Sequence, residues 1–524
     1  MLGAGTIGRG SRQAVVAVLL AVAAVLLAAF LASVAGAKEE EEEGFGDVPG
    51  NLSHSAAIEI LSALDVLDGT ECGPARFCPR EPLRRWEMAV WLVRVLDGEE
   101  PAPDRSADFV DVPDRNWWTG HVDRLAELEI TFGCSSKPAR FCPYRAVTRG
   151  QMATFLTRAF DLEPRSSVGF TDVEGHVHAG NINALAAADI TAGCATDPSR
   201  YCPGSAVTRG QMATFLARAL GVVPSAEFSD VVAEHDIRHL VSSYTTHHPC
   251  CQARVTNIQR FADIVHGAVV PPWERLSLNR HVGKRTREKG FRYAGTLIGG
   301  ELVNTVGGGV SQFATTFYNA MFWGGYRDVS HKPHSLYFPR YPEGIEATIN
   351  WPDVDLVFRN DTPAYVLIAT EYTDTSVTVK FFGDNDGRIV VGDWKSDEGI
   401  LTVVSEGGPR ARVVSADVSG RSRWTSPPPP LIRGNPELAV GEEKQVQSAR
   451  QGWTVLVTRT IDQGGTRSVR EWTVRYSPRQ RIVEVHPCVL SGSCPESDET
   501  PEDTGPPVGG AGHGIPTGYG SGVS

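Results

Sequence analysis

Apolar positions recur at helical spacing in the first half of the chain. Ala57, Leu61 and Leu64 share one helical face, and Met152, Phe155, Leu156 and Ala159 form a stripe on another. The second pattern has relatives: LRRWEMAVWLVRVL (Leu83 to Leu96), VTRGQMATFLTRAF (Val147 to Phe160) and VTRGQMATFLARAL (Val207 to Leu220) are versions of one helix. A marker precedes each, as GFGDVPG (Gly44 to Gly50), DFVDVPD (Asp108 to Asp114) and GFTDVEG (Gly169 to Gly175), with a fainter FSDV at Phe228 to Val231. Two markers in one register predict three repeats, each of two helices joined by a loop. Thr148 and Thr208 suit the N-cap of the second helix.

Residues 232–390 read as α+β. RVTNIQRFADIVHG (Arg254 to Gly267) has helical spacing, while AYVLIATEY (Ala364 to Tyr372) and SVTVKFF (Ser376 to Phe382) are strand-like. Between them, ELVNTVGGGVSQFATTFYNAMFWGG (Glu301 to Gly325) sets three glycines before a helix with a Val310, Phe313, Phe317 and Ala320 stripe and a polar line of Ser311, Thr315 and Tyr318. The glycines permit φ > 0 and close approach of a ligand, and the helix entrance leaves N–H groups free. Ser311 then stands in the positive field of the helix end, as in anion capture or an oxyanion pocket. Residues 391–487 alternate as strands around the stiff SPPPP connector (Ser426 to Pro430), and 488–524 read as a disordered tail.

A chain of 524 residues exceeds one core, so two to five domains are expected. With 41% hydrophobic and 21% charged residues it is neither collagen-like nor wholly disordered, and a net charge of -12 argues against a nucleic-acid partner. The ten cysteines include Cys72/Cys78, Cys134/Cys142 and Cys194/Cys202, each pair just ahead of a repeated helix. No pair has zinc-knuckle spacing, so local disulfides in an oxidising compartment are expected, with no metal and no cofactor. Cys250, Cys251, Cys488 and Cys494 are left without an assigned pairing. At the N-terminus, Arg9 and Arg12 precede an uncharged run ending in Ala35-Gly36-Ala37. Residues 1–37 are thus a signal peptide or a retained membrane anchor, 38–43 an acidic linker, and the remainder is exported, to the cell wall or the outer face of the cytoplasmic membrane.

The repeats, placed at 44–106, 107–167 and 168–231, resemble the S-layer homology family, with an FxDV start and a TRAE-like second helix. The resemblance implies a pseudo-threefold helical prism whose grooves bind wall polysaccharide, often pyruvylated. The family's binding arginine maps to Arg149, Arg209 and, by alignment, Arg85. A guanidinium suits the carboxylate of a ketal. Exchanging Arg149 and Arg209 for Ala is therefore expected to release the protein from the wall and leave stability little changed. Two features depart from the family: a cysteine-bounded loop replaces its glycine-aspartate-glycine loop, and Gln151 and Gln211 stand for the TRAE glutamate.

Residues 236–384 closely resemble the VanW family through RVTNIQRFAD, PPWERLSLNRHVGKRT, GGELVNTVGGGVSQFATTFYNA, HKPHS, RYPEGIEATINWP and FRNDTPAYVLI. That family is named after a gene accompanying glycopeptide resistance; its members are exported and often carry wall-binding modules. Many have cysteine at the position of Ser311, which favours a cap or ligand contact over a nucleophile. The resemblance implies a domain engaging peptidoglycan or its precursors, with a pocket of Gly307, Gly308, Gly309, Ser311, Gln312, His334, Arg340 and Tyr341. The alternative is a hydrolase or transpeptidase-like enzyme using Ser311 and His334. His247, His248 and His331 read as ordinary exposed residues, and Asn257 and Asn279 as caps or turn residues. Asn435 to Pro487 resembles the small all-β G-five module. The membrane is expected as a partner only through the N-terminal segment.

Overall fold

A computed structural model describes residues 45–50, 52–102, 109–165, 169–298 and 301–494. The predicted signal or anchor, the acidic linker and the chain beyond residue 494 lie outside the described residues. No helix among the described residues is long and apolar enough to cross a membrane. The chain forms two compact units, one reaching Thr425 and including Gly452–Ser477, the other built from Ser426–Gln451 and the segment after Pro478.

The first part of the larger unit contains three helix pairs: α1 (Ser55–Ala63) with α2 (Arg85–Asp97), α3 (Thr119–Glu127) with α4 (Arg149–Ala159), and α5 (Ala179–Ala187) with α6 (Arg209–Ala219). Thr148 accepts a hydrogen bond from Gln151 N, and Gln151 Oε1 accepts one from Thr148 N, with the same box at Thr208 and Gln211. Glutamine thus caps as glutamate would. The FxDV aspartates explain why the markers stay in phase. Asp47, Asp111 and Asp172 each accept two consecutive backbone N–H groups, at Phe77 and Cys78, Phe141 and Cys142, Tyr201 and Cys202. The loops so held carry the disulfides Cys72–Cys78, Cys134–Cys142 and Cys194–Cys202.

The pairs close into a ring. Helix α3 packs on α2, α5 on α4, and α1 returns to α6. Along the axis Leu83 N donates to Val207 O, Val207 N to Val147 O and Val147 N to Leu83 O, all at 2.9 Å. Two seams share a packing detail: a Cβ on Gly210 would meet the His54 ring at 2.7 Å, and one on Gly150 the His178 ring at 2.8 Å. The remaining seam has Trp86 at the glycine position, stacked on Trp118 with centroids 5.9 Å apart.

The second part is built on a six-stranded sheet. Its strands are β1 (His239–His247), β2 (Ala268–Val270), β8 (Val366–Tyr372), β9 (Ser376–Gly383), β10 (Ile389–Lys395) and β11 (Glu398–Ser405), in the order β11-β10-β1-β9-β8-β2. All neighbours are antiparallel except β10 and β1. The sheet therefore runs past residue 390, where the sequence suggested a boundary. Helices α8 (Ala253–Val265) and α10 (Ser311–Trp323) pack on it, α7 (Ser229–His235) precedes it, and α9 (Leu278–Val282) follows β3 (Arg275–Ser277). A hairpin, β4 (Tyr293–Ile298) and β5 (Glu301–Val306), leads into α10, and β6 (Arg327–Ser330) and β7 (Val357–Arg359) form a small sheet in the order β6-β7-β3. The α10 stripe fits its pattern: Val310, Phe313, Phe317 and Ala320 are buried, with Phe317 edge-on to Phe358 and Phe381.

Strands β12 (Val413–Val418), β13 (Ser422–Thr425), β16 (Gly452–Gln463) and β17 (Thr466–Tyr476) make a further sheet of the same unit. The smaller unit holds β14 (Leu431–Gly434), β15 (Glu443–Gln447) and β18 (Ile482–Val485), with β18 central. The stretch likened to a G-five module is thus shared between the two units. The start of the expected disordered tail is ordered instead. Pro487–Ser491 forms a short helix, α11, capped by His486, and Cys488–Cys494 ties it.

Candidate functional site

A cavity of about 500 Å³ opens where the glycine turn, α10 and the 332–354 segment meet. The turn is built by chain against chain. Gly307 and Gly309 have φ of 85° and 91°, and a Cβ on Gly308 would lie 2.0 Å from Ala294 O. Asn257, fully buried on α8, donates to Arg292 O and Gly308 O and accepts from Arg292 N. Gly308 therefore serves a packing purpose, letting the β4–β5 hairpin press on the turn, while Gly307 and Gly309 lie against Arg285 and Arg254.

Gly307, Gly309, Ser311, His334, Arg340 and Tyr341 line this cavity; Gly308 and Gln312 do not. Gln312 is fully buried behind the wall, accepting from Arg254 Nη2 and donating to Thr246 Oγ1 and His247 O. Ser311 is the first residue of α10. Its hydroxyl pairs with Thr348 Oγ1 at 3.0 Å and accepts from Ile349 N at 3.3 Å. His334 Nδ1 meets Glu346 Oε2 at 2.6 Å, and its ring stacks on Tyr341 at 5.0 Å. Facing a carboxylate, Nδ1 is the ring nitrogen that donates.

The polar character of the wall is strongly one-sided. Arg254, Lys284, Arg285, Lys332 and Arg340 line it, with no aspartate or glutamate among the lining residues. Arg285 is held by Asn279 Oδ1 and Gly283 O through Nη1, while its Nε and Nη2 are buried without partners. Its guanidinium lies 4.9 Å from the Phe261 ring centroid, and burial pulls its pKa down to about 10, so it stays charged at neutral pH. Burial likewise lowers Arg254. Arg340 lies over Phe338 and Tyr341, with Nε unpartnered. Asn279 also donates to the carbonyls of Asn350, Pro352 and Val354, fixing the far rim.

Sequence reasoning passed over Arg254, Lys284, Arg285 and Lys332. Each lies inside or beside a quoted run (RVTNIQ, HVGKRT, HKPHS), but only folding brings the runs together. The histidines read as exposed are not: His248 is buried, His331 binds Asp328 at 2.7 Å, and His247 binds Asp393 at 2.7 Å. Cys250 and Cys251 are free and exposed.

In the helical ring the three arginines point inward. Arg85, Arg149 and Arg209 are 3%, 4% and 1% exposed. Each Nε donates to a carbonyl in the next repeat, at Phe141, Tyr201 and Phe77 respectively. Every guanidinium nitrogen of Arg209 has a partner, with Glu87 Oε1 at 2.6 Å and Thr70 O at 2.8 Å, whereas Nη2 of Arg85 and of Arg149 is buried without a partner.

Residues 253–382 match the family described as VanW like protein, and residues 169–213 match the S-layer homology domain. Among curated relatives, the chain is similar to "Uncharacterized protein YoaR" of Bacillus subtilis (strain 168), at 30% identity over 166 residues, covering 32% of this chain and 54% of that protein. It is also similar to "Vancomycin B-type resistance protein VanW" of Enterococcus faecalis (strain ATCC 700802 / V583), at 25% identity over 168 residues, covering 30% and 57%. The chain spans about half the length of the curated relatives it matches. The S-layer homology match suggests a cell-surface or cell-wall location, and the VanW match a cell-wall-associated role.

Proposed function

We propose that this is an exported envelope protein whose three helical repeats, read as S-layer homology repeats, anchor it to wall polysaccharide. Its VanW-like domain binds an anionic group of peptidoglycan or its precursors. The observation that carries the second part is the cavity wall of five basic side chains without a carboxylate, in which Arg285 holds two unpartnered donors. A buried guanidinium with spare N–H groups favours a carboxylate, and the free D-alanyl carboxylate of a stem peptide has that chemistry. For the anchor, the unpartnered Nη2 groups of Arg85 and Arg149 leave donor capacity at two seams, while Glu87 closes the third.

Lys284 and Lys332 are exposed, so Lys284→Ala with Lys332→Ala leaves the fold intact. Calorimetric titration of the full chain with a muropeptide bearing a free D-alanyl carboxylate is expected to show at least tenfold weaker binding in that double variant. Unchanged binding would remove the cavity from the function. The anchor is tested by sedimentation with wall before and after its secondary polysaccharide is stripped; retention on stripped wall refutes it. The His334–Glu346 pair favours a second reading, a peptide-remodelling enzyme with Ser311 as nucleophile. Ser311 pairs with Thr348 and Ile349, so binding remains the primary reading. Loss of muropeptide turnover with binding retained in Ser311→Ala would reverse that order.

A further inference from the structure

We infer that the larger unit carries a second anion site, apart from the first cavity, that takes a phosphorylated sugar. Strands β6, β7 and β3 place Arg327 opposite Arg359 and Arg359 opposite Arg275. Directly opposed residues of antiparallel strands share a face, so three guanidinium-bearing chains stand in one row. Opposed like charges destabilise a sheet pair. Among the described residues, the side chains of Arg275 and Arg327 have no hydrogen-bond or ion-pair partner to relieve this.

Two members of the row, Arg275 and Arg327, line a cavity of about 560 Å³ together with Asp328, Asp361, Arg459 and Arg470. That volume lies in the range of small-ligand sites, roughly 300–1,000 Å³. The two carboxylates are already engaged. Asp361 takes Arg412 at 2.7 Å, and Asp328 Oδ2 takes Arg470 at 3.0 Å and His331 at 2.7 Å. Arg459 is 5% exposed; its terminal nitrogens donate to Phe322 O and Tyr326 O, and its Nε is buried without a partner. Arg275, Arg327 and Arg459 thus line the cavity without a carboxylate of their own.

A phosphate monoester answers this better than a carboxylate. It offers three acceptor oxygens and roughly -1.5 to -2 of charge, against two oxygens and a single charge. Asp328 Oδ1, also buried and unpartnered, is the acceptor for a sugar hydroxyl.

The test is calorimetric titration of the full chain at low salt, where such contacts are least screened, with glucose 1-phosphate, inorganic phosphate and glucuronate. Saturable binding of glucose 1-phosphate is expected, tighter than that of the other two. It should weaken at least tenfold in Arg275→Ala with Arg327→Ala and stay unchanged in Lys284→Ala with Lys332→Ala. Both arginines are exposed, and an unchanged melting temperature in their double variant confirms that folding is not at issue. Equal or tighter glucuronate binding overturns the phosphate assignment. Absence of saturable binding, or its loss in the lysine variant instead, overturns the site, and neither outcome bears on the muropeptide test.

Discussion

Arg209→Ala tests whether the repeat arginines hold the ring together. The side chain is 2% exposed, lies over Phe77 and Trp91, and joins the third repeat to the first through Phe77 O, Thr70 O and Glu87. Removing it leaves Glu87 buried without its cation and two carbonyls without a donor. Breaking a buried pair in this way costs about 3–5 kcal/mol. Arg149 makes one such bond, Nε to Tyr201 O at 2.8 Å, and its loss costs about 2 kcal/mol. The larger effect therefore belongs to Arg209, by roughly 1–3 kcal/mol. Glu87→Gln keeps an acceptor for Arg209 and is expected to cost less than Arg209→Ala. Urea unfolding of the full chain followed by tryptophan fluorescence reads these differences, because Trp91 lies 5.3 Å from the Arg209 guanidinium. Equal effects, or both below about 1 kcal/mol, would refute the bracing argument. Their burial argues against the sequence-based expectation that both arginines could be removed with stability little changed.

Gly308→Ala forces a methyl to 2.0 Å from Ala294 O and strains the Asn257 bond, so it should cost about 3 kcal/mol in thermal or urea unfolding, whereas Gly420→Ala, with open space around it, should be near neutral. Burial, reinforced by nearby cations, holds His54 and His178 below the usual histidine pKa at the ring seams. For a base depressed in the folded state, stability is complete above the unfolded value near 6.5 and is lost as pH falls below it. The melting temperature should therefore drop between pH 7.5 and 5, and the drop should shrink in His54→Gln with His178→Gln; a flat profile in the parent refutes this. Iodoacetamide applied to the non-reduced protein should label Cys250 and Cys251 and spare Cys72, Cys78, Cys134, Cys142, Cys194, Cys202, Cys488 and Cys494, as read by mass spectrometry.

Local features were legible in the sequence because they depend on near neighbours. The caps at Thr148 and Thr208, the α10 stripe and the short-range disulfides all follow from spacing alone. What was not legible depends on approach across the chain. Arg149 reads as a free surface cation until Tyr201 is known to sit over it. The basic wall draws on residues from 254 to 340, and no window of sequence puts Arg285 and His334 on one cavity. The glycine run was read for its freedom, while Ala294, distant in the sequence, explains Gly308. The end of the sheet was missed because β10 pairs with β1, far away in sequence and parallel to it.

The cycle through Leu83, Val207 and Val147 also bears on how the helical ring can change over evolutionary time. All three residues are fully buried, so each N–H and each carbonyl has the next member of the cycle for its partner. Tandem arrays that stack openly gain or lose copies at little cost, since each unit meets only its neighbours. A closed cycle has no end at which to add one. A fourth copy, or the loss of one, would strand a donor and an acceptor on a dry axis, so copy number here is set by geometry and not by drift. Such a ring also has no privileged opening, and His239 Nε2 reaches Ala56 O at 3.2 Å where the chain leaves it. A permuted gene that begins at another seam should therefore close the same ring.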